Sequence, residues 1–136
     1  MQKFNISISL IIFLIVCQSC AYDKKHTIGP ELDCSTIIPD TISFKRDIIP
    51  IFNTNCNIVS CHSGSEPAGN FNLEESKAYT QLSKRGSGYI DTINPKRSVL
   101  YSSIVSVSNP MPPVGKLDDC TIALIAEWMK QKGKNN

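Results

Sequence analysis

At 136 residues the chain has room for one domain with one modest core, and its 41% hydrophobic and 19% charged content is that of a globular protein. Fourteen Lys and Arg stand against twelve Asp and Glu, with no basic stripe interleaved with aromatics, which argues against a nucleic-acid partner. Gly-rich phosphate loops and Ser/His/Asp motifs are absent, and two histidines, His26 and His62, leave little for acid–base catalysis, so the reading is not an enzyme.

Met1 to Ser19 carry Lys3 as their only charge, then the apolar run Leu10 to Val16, then small or polar residues, the layout of a secretory signal. The run falls short of the roughly 20 residues that span a bilayer, even when extended back to Ile6. Export is therefore predicted. The closing stretch Leu14-Ile15-Val16-Cys17-Gln18-Ser19-Cys20 resembles a bacterial lipoprotein signal, in which a Cys after small residues becomes the diacylated N-terminus of the mature protein. The resemblance implies lipidation at Cys20, with Cys17 as the alternative position and a plain cleavable signal as the competing reading. Two acyl chains satisfy the requirement for stable membrane attachment, with the body on the membrane and not across it. Losing Lys3 alone from the fourteen basic residues leaves thirteen against twelve acidic ones, a nearly neutral mature chain.

Residues 1–19 are thus read as signal peptide, 20–41 as a lipidated tether and lead-in segment broken by Gly29, Pro30 and Pro39, and 42–136 as the folded domain. Phe44, Ile48, Ile51 and Phe52 recur at helical spacing behind Ser43, predicting a first helix from Ser43 to about Asn55, with Pro50 kinking it unless the regular helix begins near Asp47. Ser63 to Asn70 is a turn-rich loop, and a short helix follows from about Glu74 to Leu82. After a second loop, Ser83 to Asp91, Pro95 opens a helix running to about Val105, with Leu100 and Ile104 on one face. Asn109-Pro110-Met111-Pro112-Pro113 is not helical. Asp118 then caps a last helix with Thr121, Leu124, Ile125 and Trp128 on one side and Gly133 as the stop. No stretch alternates with period two, so the fold class is all-α, about four short helices around one core.

Six cysteines must be placed in an oxidising compartment. With Cys17 leaving in the signal and Cys20 lipidated, Cys34, Cys56, Cys61 and Cys120 remain, and two pairs account for all of them. Cys56-Asn57-Ile58-Val59-Ser60-Cys61-His62 is the informative segment. In a c-type haem site two thiols form thioethers with the porphyrin vinyl groups, and a His directly after the second Cys is held under the iron. The ordinary spacing has two residues between the thiols; here there are four, which the peptide accommodates by bulging its middle. A zinc site drawing on His26, Cys34 or Cys120 competes for these residues, as does a Cys56–Cys61 disulfide with a solvated His62. A catalytic Cys-His pair is a third rival, disfavoured because adjacent side chains diverge and exported thiols oxidise.

Taken together, the run Ile42 to Phe52, the cysteines with His62-Ser63-Gly64, then Pro95 to Tyr101, Met111-Pro112-Pro113 and Leu117 to Trp128 resemble a monohaem cytochrome c domain, in particular those in lipoproteins of Bacteroidetes-type bacteria. The resemblance covers the chain from about Cys34 onward. It implies the cytochrome c-like fold, a helical shell whose first and last helices cross and whose haem edge lies near solvent. It further implies one covalent haem c, with Cys56 and Cys61 as thioether residues, His62 as proximal ligand and Met111 as distal ligand, and Ile51, Phe52, Leu100, Tyr101 and Trp128 as core or haem-packing residues. His26 is the alternative distal donor. Parity and export leave Cys34 and Cys120 to form a disulfide. The expected function is electron transfer by a membrane-anchored cytochrome exchanging electrons with redox partner proteins that the sequence does not name. A haem sensor or peroxidase-like protein with an open iron position, and a haem-free structural lipoprotein, are the alternatives.

Overall fold

The computed structural model describes residues 33–136; the predicted signal, Cys17, Cys20, His26 and the tether lie outside the described residues. Four helices, α1 (Ile49–Asn55), α2 (Glu75–Leu82), α3 (Val99–Ile104) and α4 (Asp119–Lys130), are joined by loops. Those loops hold a π-helical turn at Phe44–Ile48 and 3-10 turns at Ala68–Asn70 and Pro95–Arg97. Among the described residues there is no strand, so the domain is all-α, and no helix is long and apolar enough to cross a membrane.

The predicted helix from Ser43 to Asn55 exists, but in two registers. Ser43 caps it, its hydroxyl accepting from the Arg46 amide at 3.3 Å. Pro50 has no N–H and its ring crowds the carbonyl four residues back. The chain responds by slipping to π spacing ahead of it, the Ile49 amide bonding to the Phe44 carbonyl, before α1 continues normally. The helix expected from Pro95 to Val105 is likewise interrupted. Buried Ser98 is extended (φ −70°, ψ 151°); its hydroxyl donates to the Pro95 carbonyl at 2.7 Å and accepts from the Tyr101 amide at 3.1 Å, ending one turn and capping α3.

Asp118 caps α4 as the sequence predicts, its carboxylate accepting from the Thr121 amide at 2.9 Å. Ile122, Leu124, Ile125, Trp128 and Met129 form the buried face, whereas Thr121, expected there, is half-buried and turns its hydroxyl to Asp118. The stop comes at Gly133, whose φ of +53° suits glycine and whose missing Cβ leaves room for Ile90 Cδ1, 3.2 Å from where it would stand.

The first and last elements meet in the core, Phe44 lying 5.1 Å from Trp128, 5.3 Å from Tyr79 and 6.3 Å from Phe52 between ring centroids. Burying each such side chain stabilises the fold by about 1.5–3 kcal/mol. The lead-in segment is tied to the end of α4, since Gln131 accepts from the Ile42 amide and donates to the Asp40 carbonyl, both at 3.0 Å. At the other end of that helix Cys34 and Cys120 form a disulfide across 86 residues of sequence. This frame fixes the helices between which the cavity described next is built.

Candidate functional site

A cavity of about 340 Å³ opens between the end of α1, the loop after it, α3 and the Met111 loop. That lies within the roughly 300–1,000 Å³ of small-molecule and cofactor sites. Cys56, Cys61, His62 and Met111, scattered over 56 positions of sequence, all line it. Its remaining wall is largely apolar, with Phe71, Leu73, Tyr89, Leu100 and Ile104 prominent.

The local backbone explains how four residues fit between the thiols. The Cys56 and Asn57 amides both bond to the Phe52 carbonyl, which finishes the helix. A turn follows, the Cys61 amide bonding to the Ile58 carbonyl at 2.9 Å with Ser60 at φ +71°. The His62 amide then returns to the Cys56 carbonyl at 3.2 Å, so the two thiol-bearing residues begin and end a closed loop. Ile58 and Val59 are pushed outward, 44% and 83% exposed. Both cysteines carry free thiols, and burial, followed by the neighbouring Cys61, pushes the Cys56 thiol up to about 11. Cys56 is therefore a neutral thiol at ordinary pH, compatible with its apolar wall.

His62 Nδ1 lies 2.9 Å from the Phe71 carbonyl. A carbonyl only accepts, so that bond places the proton on Nδ1 and leaves the Nε2 lone pair for a metal, the arrangement of a ligand histidine oriented by an outer partner. Phe71 meets the His62 ring edge-on at 5.5 Å and stacks on Tyr89 at 4.3 Å. Met111 is half-buried in a loop hung from α3, its amide donating to the Ser103 carbonyl at 3.1 Å, and the peptide to Pro112 is cis.

A haem fits this donor set. The cavity is apolar, an imidazole with a free nitrogen and a thioether reach it from separate segments, and two free thiols stand in the same wall. Zinc fits less well: Cys34 and Cys120 are bonded to each other, and among the described residues no three His, Cys, Asp or Glu side chains gather as a metal cluster would require. Of the five predicted packing residues only Leu100 lines the cavity; Phe52 and Trp128 are core, Ile51 packs against the core, and Tyr101 faces a separate cavity beside Ile122. Sequence reasoning missed Phe71 and Tyr89, lone aromatics in loops with no period to mark them.

Against this geometry, a family model described as Planctomycete cytochrome C matches residues 59–115. That span is cytochrome c-like; it takes in Cys61, His62 and Met111 and begins three residues after Cys56. It covers less than half of the chain. No curated protein and no solved structure matches the chain.

Proposed function

We propose that the domain is a monohaem c-type cytochrome that carries electrons. The observation that supports it most directly is the convergence of Cys56, Cys61, His62 and Met111 on one apolar cavity, with His62 Nδ1 already committed to the Phe71 carbonyl. Cys56 and Cys61 would hold the haem by thioether bonds, and His62 Nε2 and Met111 Sδ would supply its axial donors. A haem so held supplies one-electron redox chemistry and leaves no iron position for substrate, which favours a carrier over an enzyme. The apolar wall would limit the water around the iron, and the Phe71 carbonyl holds the His62 ring in orientation.

The carrier is exported and held on a membrane by a lipid at Cys20, a reading carried by the signal-like residues 1–20 and by resemblance to lipoproteins of Bacteroidetes-type bacteria. Its partners are redox proteins. Expression of the full chain with a c-type maturation system tests the core of the reading: the polypeptide should gain the mass of one haem and keep its colour through acid–acetone extraction. Colour lost wholly to the solvent would overturn it. Cys20→Ala should release the domain from membranes, and continued retention would point to another anchor.

A further inference from the structure

The peptide that carries His62 doubles back against residues 71–74, and the three consecutive residues Phe71, Asn72 and Leu73 each hold it at a different point. The Phe71 carbonyl accepts from His62 Nδ1 at 2.9 Å. The Leu73 amide donates to the His62 carbonyl at 2.7 Å. Between them the Asn72 side chain, 5% exposed, donates through Nδ2 to the Gly64 carbonyl at 3.0 Å and accepts through Oδ1 from the Glu74 amide at 2.9 Å. These partners fix the amide's orientation, since Gly64 offers only a carbonyl there and Glu74 only an N–H. The circuit closes outside, where the Gly64 amide donates to Glu74 Oε1 at 2.9 Å.

Resting on the haem reading above, we propose that Asn72 is the positioning residue for His62: by clamping Gly64 to the 72–74 turn it fixes the separation at which the His62 ring meets the Phe71 carbonyl, and so the orientation of the iron ligand. The ring has one rotatable bond from its backbone and a second to its plane, and neither is locked by the His62 amide, which is engaged with Cys56. The Phe71 carbonyl orients the ring only while the two peptide segments keep their spacing. Leu73 and Glu74 bind at the edges of that contact, whereas Asn72 is the buried side chain spanning it. A buried amide with both ends satisfied holds such a spacing tightly, because moving either segment strands a polar group away from water.

Asn72→Ser separates the roles, since a serine hydroxyl still accepts from the amide two residues on and keeps the local turn, yet falls short of Gly64. The test uses the matured full-length protein in its reduced state and follows the solvent exchange of the His62 Nδ1 proton by NMR together with the midpoint potential. In Asn72→Ser the proton should exchange about tenfold faster, as loss of one buried hydrogen bond implies, and the potential should move. Gln131→Ala, which removes the ties to Ile42 and Asp40 outside this circuit, should lower thermal stability and leave both readouts at wild-type values. Glu74→Gln, retaining an acceptor for Gly64, should also match wild type. Unchanged exchange and potential in Asn72→Ser, or an equal shift in Gln131→Ala, would overturn the proposal. Should Asn72→Ser not fold, Asn72→Asp, which keeps an acceptor for the Glu74 amide and loses the donor to the Gly64 carbonyl, takes its place, and wild-type exchange in that variant overturns the proposal as well. A chain that takes up no covalent haem refutes the haem reading instead; the Nδ1 proton followed in the same chain unloaded then decides the role of Asn72.

Discussion

The His62 amide donates to the Cys56 carbonyl at 3.2 Å, so the peptide between the two thiols is a loop whose ends are held together independently of what lies in its middle. Ile58 and Val59, at the outer side of that loop, are both exposed, and neither is in the hydrophobic core or among the residues packed against it. The double substitution Ile58→Ser and Val59→Ser should therefore leave thermal stability within about 0.5 kcal/mol of wild type. Covalent haem yield should be unchanged. Cys56→Ala and Cys61→Ala, by contrast, should each reduce that yield, measured as haem-bearing polypeptide by intact mass. Loss of yield in the Ser double variant would show that the four-residue insert acts in attachment.

The disulfide between Cys34 and Cys120 closes a loop across 86 residues and anchors the lead-in segment to the first turn of α4. In the chain-entropy account a loop of that length stabilises the fold by at most about 4.6 kcal/mol, and disulfides typically deliver about 2–4 kcal/mol. Cys34→Ser with Cys120→Ser should lower the unfolding free energy by that amount in denaturant titrations. Unreduced, denatured wild type should resist alkylation at both positions, and two freely alkylated thiols there would exclude the bond.

Much of this arrangement was legible in the sequence, for identifiable reasons. Ser43 and Asp118 announced their helices because capping is a contact between near neighbours, written in residue type and spacing. The cysteines, His62 and Met111 stood out because their chemistry is scarce in the chain. What stayed hidden depends on distant partners or on competition between local preferences. Ser98 reads equally as a helix interior or a cap, and only its burial beneath the Pro95 turn selects the cap. Phe71, Asn72 and Tyr89 lie in loops where no period exposes a facing side, so the cavity wall and the clamp on His62 are visible only once the chain is folded.

The α4 cap supplies a pH signature. The hydroxyl and amide of Thr121 hold the Asp118 carboxyl below the ordinary carboxylate range. A depressed folded value means the unfolded chain takes up the proton first, so this contribution is complete well above the unfolded value of 3.8 and is lost as pH falls through and below it. Asp118→Asn keeps an oxygen acceptor for Thr121 and should flatten the part of the acid melting profile that this residue governs. Asp118→Ala should cost about 1 kcal/mol at neutral pH through loss of the cap. Melting temperatures recorded from pH 2 to 7 for the three proteins check both expectations, and parallel curves for wild type and Asp118→Asn would remove Asp118 as a source of acid sensitivity.

The Met111 loop supports the remaining assignment, that of the distal iron donor. Among the described methionines Met129 is fully buried in the core away from the cavity, so Met111 is the thioether that reaches it. Pro110, Pro112 and Pro113 restrict the backbone on both sides, and the Met111 amide is fastened to the Ser103 carbonyl on α3. Little ordering is then left to occur when the sulfur takes its place. A thioether is a soft neutral donor that suits ferrous iron and raises the reduction potential when paired with imidazole, as the proposed carrier role would require. The oxidised protein should show the weak sulfur-to-iron absorption toward the red end of the spectrum; Met111→Ala should abolish that band and lower the midpoint potential while leaving the haem covalently attached, because Cys56 and Cys61 are untouched. An unchanged spectrum and potential would remove Met111 as the donor. Loss of the band together with new binding of small ligands such as cyanide would show that the Met111 side chain is what keeps the iron closed to substrate, and hence what separates an electron carrier from a sensor or peroxidase built in the same cavity.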